Sequence, residues 1–194
     1  MTSSLVGSEM CIRDRYETLN KRYFPTKGLK TNISYTIHTD LHTNTAYSSL
    51  ATQITKIFPI ALNTFIIPTI YGRFIFNDGI PFMYSNVIGG EGYNPHYEQQ
   101  IPFSGLPHTE STLKLLGNAR IQIRHKFHGK QYLTLSGNYA IHQNQFSNFL
   151  QGKKIYGTSI GYGYDSPLGP IEGFICYSNR TNKLGFYLNI GFGF

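Results

Sequence analysis

The residues with the plainest chemical potential are Gly157-Thr158-Ser159-Ile160-Gly161, which match the G-x-S-x-G pattern of nucleophilic serine hydrolases. That chemistry needs the serine on a sharp strand-to-helix turn, with a histidine base within reach of its oxygen. Here Ser159 falls inside a period-two run and no helical pattern follows, so the match reads as a coincidence of strand composition. His142 and His38 lie near strand ends, and neither has a serine partner defined by the sequence. The seven histidines are too scattered for a metal pattern, and Cys11 and Cys176 make neither a disulfide framework nor a metal site. No glycine-rich phosphate loop joins a strand to a helix. The chain is therefore assigned no catalytic residue, no metal and no cofactor.

The charged residues carry more information. The formal net charge is +7, a balance that suits nucleic acid, anionic lipid or an anionic solute until the basic residues are placed. Arg120, Arg124 and Lys126 alternate with Ala119, Ile121, Ile123, His125 and Phe127. This is the wall of a barrel, with one apolar and one wet face, and it argues against a nucleic-acid surface. The three cations should point into an aqueous lumen. There they would hold an inward-folded segment through Glu91 or Glu98, bias the lumen towards anions, or simply keep the wall hydrated.

The elements that must position these residues are strands. Fifteen Tyr, fourteen Phe and twenty Gly favour strands and tight turns over helices. No window of about 18 apolar residues exists to make a membrane-crossing helix. Phe186, Leu188, Ile190, Phe192 and Phe194 share one face, opposite Gly185, Tyr187, Asn189, Gly191 and Gly193. The same alternation recurs over 119–127, over 131–141 (Leu133, Leu135, Tyr139 and Ile141 against Thr134, Ser136 and Asn138) and over 156–165. It recurs again around Leu29 to Ile37. Segments 48–60, 64–76 and 168–178 follow it less cleanly, with Pro59 and Pro68 unable to donate to a ladder.

Tight turns at Pro25–Gly28, 61–63, Gly129 and 166–170 alternate with loops at 39–47, 77–118 and 142–153 and a short loop at 179–183, a broad rather than strict alternation. This parity is that of short periplasmic turns and longer external loops. Tyr132, Tyr139, Tyr156, Tyr164 and Tyr177 are expected at the membrane interfaces. The fold class is all-β, a transmembrane antiparallel β-barrel in a bacterial outer membrane, with 77–118 a long extracellular or lumen-folded loop. Eight strands run from Gly28 to Phe194, with a ninth possible across Tyr16 to Arg22. They either close a small barrel or form a slice of a larger one.

The start of the chain stands apart. No secretion signal is present, which points to a missing natural N-terminus. Gly7-Ser8-Glu9 and the following Met10-Cys11-Ile12-Arg13-Asp14-Arg15 resemble a translated sequencing-adapter read-through. Residues 1–15 are accordingly read as a non-native or disordered leader, and 16–194 as a partial barrel domain.

The segment Tyr156 to Ile171, with its Ser166-Pro167-Leu168-Gly169-Pro170 turn, resembles the strand-turn-strand near the end of the Omp85-type bacterial surface antigen barrel. The terminal pair ending in Phe192 and Phe194 resembles that family's C-terminal insertion signal. Tyr23-Phe24-Pro25-Thr26-Lys27-Gly28 resembles its recurrent periplasmic turn. Pro25, Gly28, Pro167, Gly169 and Pro170 are thus placed in periplasmic turns by the resemblance. Ile88-Gly89-Gly90 matches the lumen loop motif, with Gly89 where the family has arginine, a departure that takes support from the family's usual translocation mechanism. Ile80-Pro81-Phe82, Ile101-Pro102-Phe103 and Asn179-Arg180-Thr181-Asn182-Lys183-Leu184 most resemble the barrels of Bacteroidota patatin-like phospholipases.

The resemblance implies a sixteen-stranded barrel of which this is the C-terminal half, since five strands follow the family's inward loop and five candidates follow 77–118 here. It further implies an anchoring domain, with translocation or surface presentation of an upstream domain. Its partners would be outer-membrane lipids, the barrel assembly machinery, the missing upstream strands and an N-terminal patatin domain. Two other readings stay open: a self-contained eight-stranded porin or adhesion barrel, and an outer-membrane lipase.

Overall fold

The structure, a computed structural model, describes residues 8–40, 45–77, 84–91, 100–107, 109–167 and 169–191. One antiparallel sheet dominates it. Its strands are β1 (Ser8–Glu17), β2 (Gly28–Asp40), β3 (Thr45–Ala61), β4 (Thr64–Ile75), β8 (Leu115–His128), β9 (Gln131–Gln143), β10 (Lys153–Ser166), β11 (Gly169–Ser178) and β12 (Leu184–Ile190). They follow one another around the sheet in chain order, and β1 and β12 are its two edges. Between β4 and β8 lie three two-residue strands, β5 (Val87–Ile88), β6 (Gln100–Ile101) and β7 (Glu110–Ser111), which pair among themselves.

Alternation decides the two faces. On β9, Tyr132, Thr134, Ser136, Asn138, Ala140 and His142 are buried, while Leu133, Leu135 and Tyr139 are exposed. Ile121, Ile160, Ile175 and Phe186 continue this exposed set across β8, β10, β11 and β12, each roughly half or more accessible. In water so wide an apolar face would be an aggregation surface, but in a bilayer it is the solvent-exposed face. The opposite face carries the hydroxyls, amides and guanidiniums, and the β5–β7 segment packs there.

Several details differ from the sequence expectation. Strand β1 covers Ser8–Glu17, pairing in register from Ser8↔Thr39 to Glu17↔Lys30, and residues 18–27 form the turn. Residues 8–15, read as leader, are therefore in the sheet, and the ninth strand expected over Tyr16 to Arg22 ends at Glu17. The physical reason is that the unpaired N–H and C=O row of β2 accepts any extended segment of matching pleat. Met10, Ile12 and Tyr16 stay exposed on one face, while Arg13 and Arg15 line the cavity on the other.

The prolines are accommodated where the ladder is interrupted. The β3–β4 pairing passes from Thr55↔Thr69 to Phe58↔Ile66, with no pair at Pro68, and the register shifts between Pro59 and Ala61. Pro59 stands at that irregularity, while Pro68 stays in register with Ile121 of β8. Tyr132, expected at an interface, is 2 % exposed on the inward face, because it shares the parity of Thr134 and Ser136 and opposes that of Leu133.

Candidate functional site

The concave face of the sheet and the segment lying on it form the site. Two contacts clamp the first part of that segment. Asn86 is fully buried, and its Nδ2 donates to the carbonyls of Leu113 at 2.9 Å and Lys114 at 2.7 Å, while its Oδ1 accepts from Arg73 Nη1 at 2.8 Å. The side chain of Asn86 thus gives the Leu113 carbonyl a partner and adds to the bond that the Lys114 carbonyl accepts from the Ile75 N–H at 3.1 Å. His142 receives the Leu113 N–H on Nδ1 at 3.3 Å, which gives this strand-end histidine a structural partner.

Glu91 and Arg120 make the central contact. The carboxylate pairs with Arg120 Nη2, and their side chains are 1 % and 7 % exposed respectively. Inside a protein such a pair survives only when geometry and charge both match, since each ion has lost its hydration. Backbone geometry brings Glu91 there: Gly89 has φ 138° and Gly90 φ 76°, a left-handed stretch that a Cβ would oppose. Gly89 N–H donates to Ile101, and Phe103 N–H to Gly90, both at 2.9 Å. Gly89 therefore serves the bend, and the charge of the contact resides on Glu91 and, across from it, Arg120.

Apolar packing holds the middle. Ile88, Ile101, Phe103 and Leu106 of the segment meet Leu116, Ala140 and Ile155 of the wall, all at most 7 % exposed. A lumen filled with water supplies a hydrophobic driving force for this docking that lipid on the other face lacks. Phe103 is wholly buried, and burying such a ring is worth about 1.5–3 kcal/mol.

Ser159 sits in this interface, mid-strand and 3 % exposed. Its hydroxyl lies 2.5 Å from that of Ser136 and accepts from Ser104 Oγ at 3.3 Å, while Asn138 Nδ2 donates to Ser104 Oγ at 2.6 Å. The G-x-S-x-G match thus serves a polar seam between segment and wall, and Gly157 leaves room for it. A Cβ there would stand 2.2 Å from the Ser104 carbonyl oxygen.

At the short-turn end the β1–β2 turn also reaches inward. Phe24, fully buried with φ 46°, stacks on Tyr132 with ring centroids 4.2 Å apart, beneath the Arg124 guanidinium at 5.3 Å. Arg120 and Arg124 thus point to one face of β8 but engage different elements. Lys126, on the same parity, is only half-buried, and its backbone N–H donates to Asn63 at the adjacent turn. The three cations do not converge on one point.

A cavity of about 640 Å³ remains between the two walls, lined among others by Arg13, Arg15, Lys30, Arg73, Arg120 and Arg124, with Glu91 and Glu172. Among the described residues no three His, Cys, Asp or Glu side chains could together hold a metal.

The turn residues occupy strand junctions: Gly28 opens β2, Gly169 opens β11 and accepts a hydrogen bond from Ser166 Oγ at 2.5 Å, and Pro170 is fully buried beside it. Pro25 is buried in the β1–β2 turn, and Pro167 is exposed. Glu98, Phe192 and Phe194 lie outside the described residues. Sequence reasoning missed Asn86, Phe24 and Ser104. Asn and Ser are common in loops, and nothing local marks a phenylalanine that crosses a lumen.

The family model of the OMP85 superfamily matches residues 9–194. No curated protein matches the chain.

Proposed function

This chain belongs to the OMP85 superfamily, and from that premise we propose that it is the anchoring part of a larger outer-membrane protein whose lumen is closed by a releasable segment. The observation that carries this reading is the buried Glu91–Arg120 pair between the 84–114 segment and the wall. A lumen that needed only to be filled could be filled with apolar side chains at lower desolvation cost. A polar latch suits a segment that must come away when an upstream domain is passed through or presented. The resemblance of 179–184 to patatin-like barrels supports a patatin domain as that cargo. Phospholipase chemistry would then belong to that domain, and this chain would carry none of it.

Nine antiparallel strands in the main sheet among the described residues favour a larger barrel over a self-contained one. With an odd number, β1 and β12 run in the same direction and cannot close by the antiparallel pairing used everywhere else in the sheet.

The test is a reversible lock. Ser104 and Ser159 have their hydroxyls 3.3 Å apart, so the double variant Ser104→Cys/Ser159→Cys should form a disulfide that pins the segment. Protease shaving of whole cells is expected to show the upstream domain absent from the surface when the lock is oxidised and restored under reductant. Equal surface display in both states would sink the releasable-segment reading and leave a plain anchor. Phospholipase activity of the chain alone that Ser159→Ala abolishes would assign chemistry to the barrel instead.

A further inference from the structure

We propose that the β9–β10 loop is a lipid-binding wedge that inserts Phe146 and Leu150 into the outer leaflet and holds a phosphorylated, anionic lipid headgroup with Lys154. Residues Phe146–Gln151 form a 3-10 turn. That turn folds down over the outward face of the sheet, away from the lumen. Phe149 lies against Gly117, where a Cβ would stand 3.1 Å from its ring, and 6.0 Å from the Phe74 ring. Phe146 stacks on Phe76 at 6.0 Å between centroids. Gly117, Phe74 and Phe76 all belong to the lipid-facing parity of their strands or its continuation.

The contact is one-sided. Phe146 remains 58 % exposed and Leu150 76 %, so Phe149 is the ring set against the wall while Phe146 and Leu150 present most of their surface outward. Its height fits an interface: across the sheet, Gly72, Gly117, Ile141 and Lys154 are in register, and Tyr139 pairs with Tyr156 two residues further into the membrane. Both tyrosines are exposed outward, as an aromatic belt requires. The wedge therefore stands at the level where acyl chains give way to headgroups.

Charge identifies the headgroup. Lys154 follows Leu150 by four residues, is exposed and shares the outward parity of Tyr156, whereas Lys153 pairs with His142 on the inward parity, and no acidic residue occurs from 143 to 158. Neither lysine has a carboxylate partner among the described residues. An amphipathic element with a lysine beside its apolar face binds anionic lipid by burying apolar area and attracting phosphate together. The proposal needs the chain to be in a membrane and is independent of any transport role.

The chain contains no tryptophan, so Leu150→Trp introduces a single reporter within it. With the intact protein in phosphatidylcholine vesicles, its emission should be blue-shifted, quenched by brominated acyl chains and shielded from iodide. Red emission quenched by iodide alone would overturn insertion. Energy transfer between copies that grows with protein-to-lipid ratio, with no lipid quenching, would assign the patch to a second copy and overturn it too. The headgroup claim is read with spin-labelled phosphatidylglycerol against spin-labelled phosphatidylcholine. A preference of about threefold is expected in the parent, falling to near one in Lys154→Gln and in high salt. An unchanged ratio in that variant would refute it, and heat-modifiable migration on gels verifies that the variant has folded.

Discussion

At the scale of single residues, the lumen is organised by pairing buried polar groups with partners from distant parts of the chain. Glu91 and Arg120 are the sharpest case, being almost wholly buried. Glu91→Gln should destabilise the docked segment by about 3–5 kcal/mol, because it leaves the Arg120 guanidinium buried with its counter-charge removed. The measure is the denaturant midpoint of the lipid-embedded protein, together with protease cleavage within 84–114. The swap Glu91→Arg/Arg120→Glu should recover part of the loss, and a Glu91→Gln protein with unchanged midpoint and cleavage would show that the pair carries no net stability. The sequence named Glu91 as one of two candidate partners. It could not choose between Glu91 and Glu98, because the choice depends on the bend at Gly89 and Gly90.

At the scale of elements, the inward segment and the wall are matched by small residues as much as by large ones. Gly157 admits the Ser104 carbonyl, and Ala140 admits the apolar side chains beside it. Gly157→Val should therefore lift the segment off β10 at a cost of about 1–3 kcal/mol, while the outward face, and so membrane insertion, stays intact. Amide exchange should rise in 100–107 and remain slow in β9 to β11; uniform protection across the segment would contradict the fit. The strands themselves were legible, since period-two alternation states which side chains share a face. Their ends were not. β3 begins at Thr45 and β8 at Leu115, earlier than the clean alternation, because neighbouring strands continue to offer ladder partners. The β9–β10 loop carries no such pattern, so its aromatic turn could be found only from what it touches.

At the scale of the whole molecule, the two sheet edges decide behaviour. Among the described residues β1 and β12 each pair with one strand only, and hydrocarbon cannot satisfy the backbone groups on their other side. Purified alone and refolded into vesicles, the chain should associate through these edges and lack the heat-modifiable migration of a closed barrel. Supplying strands to pair with both edges should restore it, and a heat-stable monomer formed by the chain alone would favour the self-contained barrel.

The sequence by itself determined the fold class, the faces of most strands and the wet side of Arg120 and Arg124, because alternation is a local property written every second residue. The tertiary structure decided what lies against those faces. Glu91 is 29 residues from Arg120 and Ser104 is 55 from Ser159, and Phe24 meets Tyr132 across the lumen. Contacts at such separations follow from the curvature of the sheet and the path of the inserted segment, which no spacing in the chain encodes.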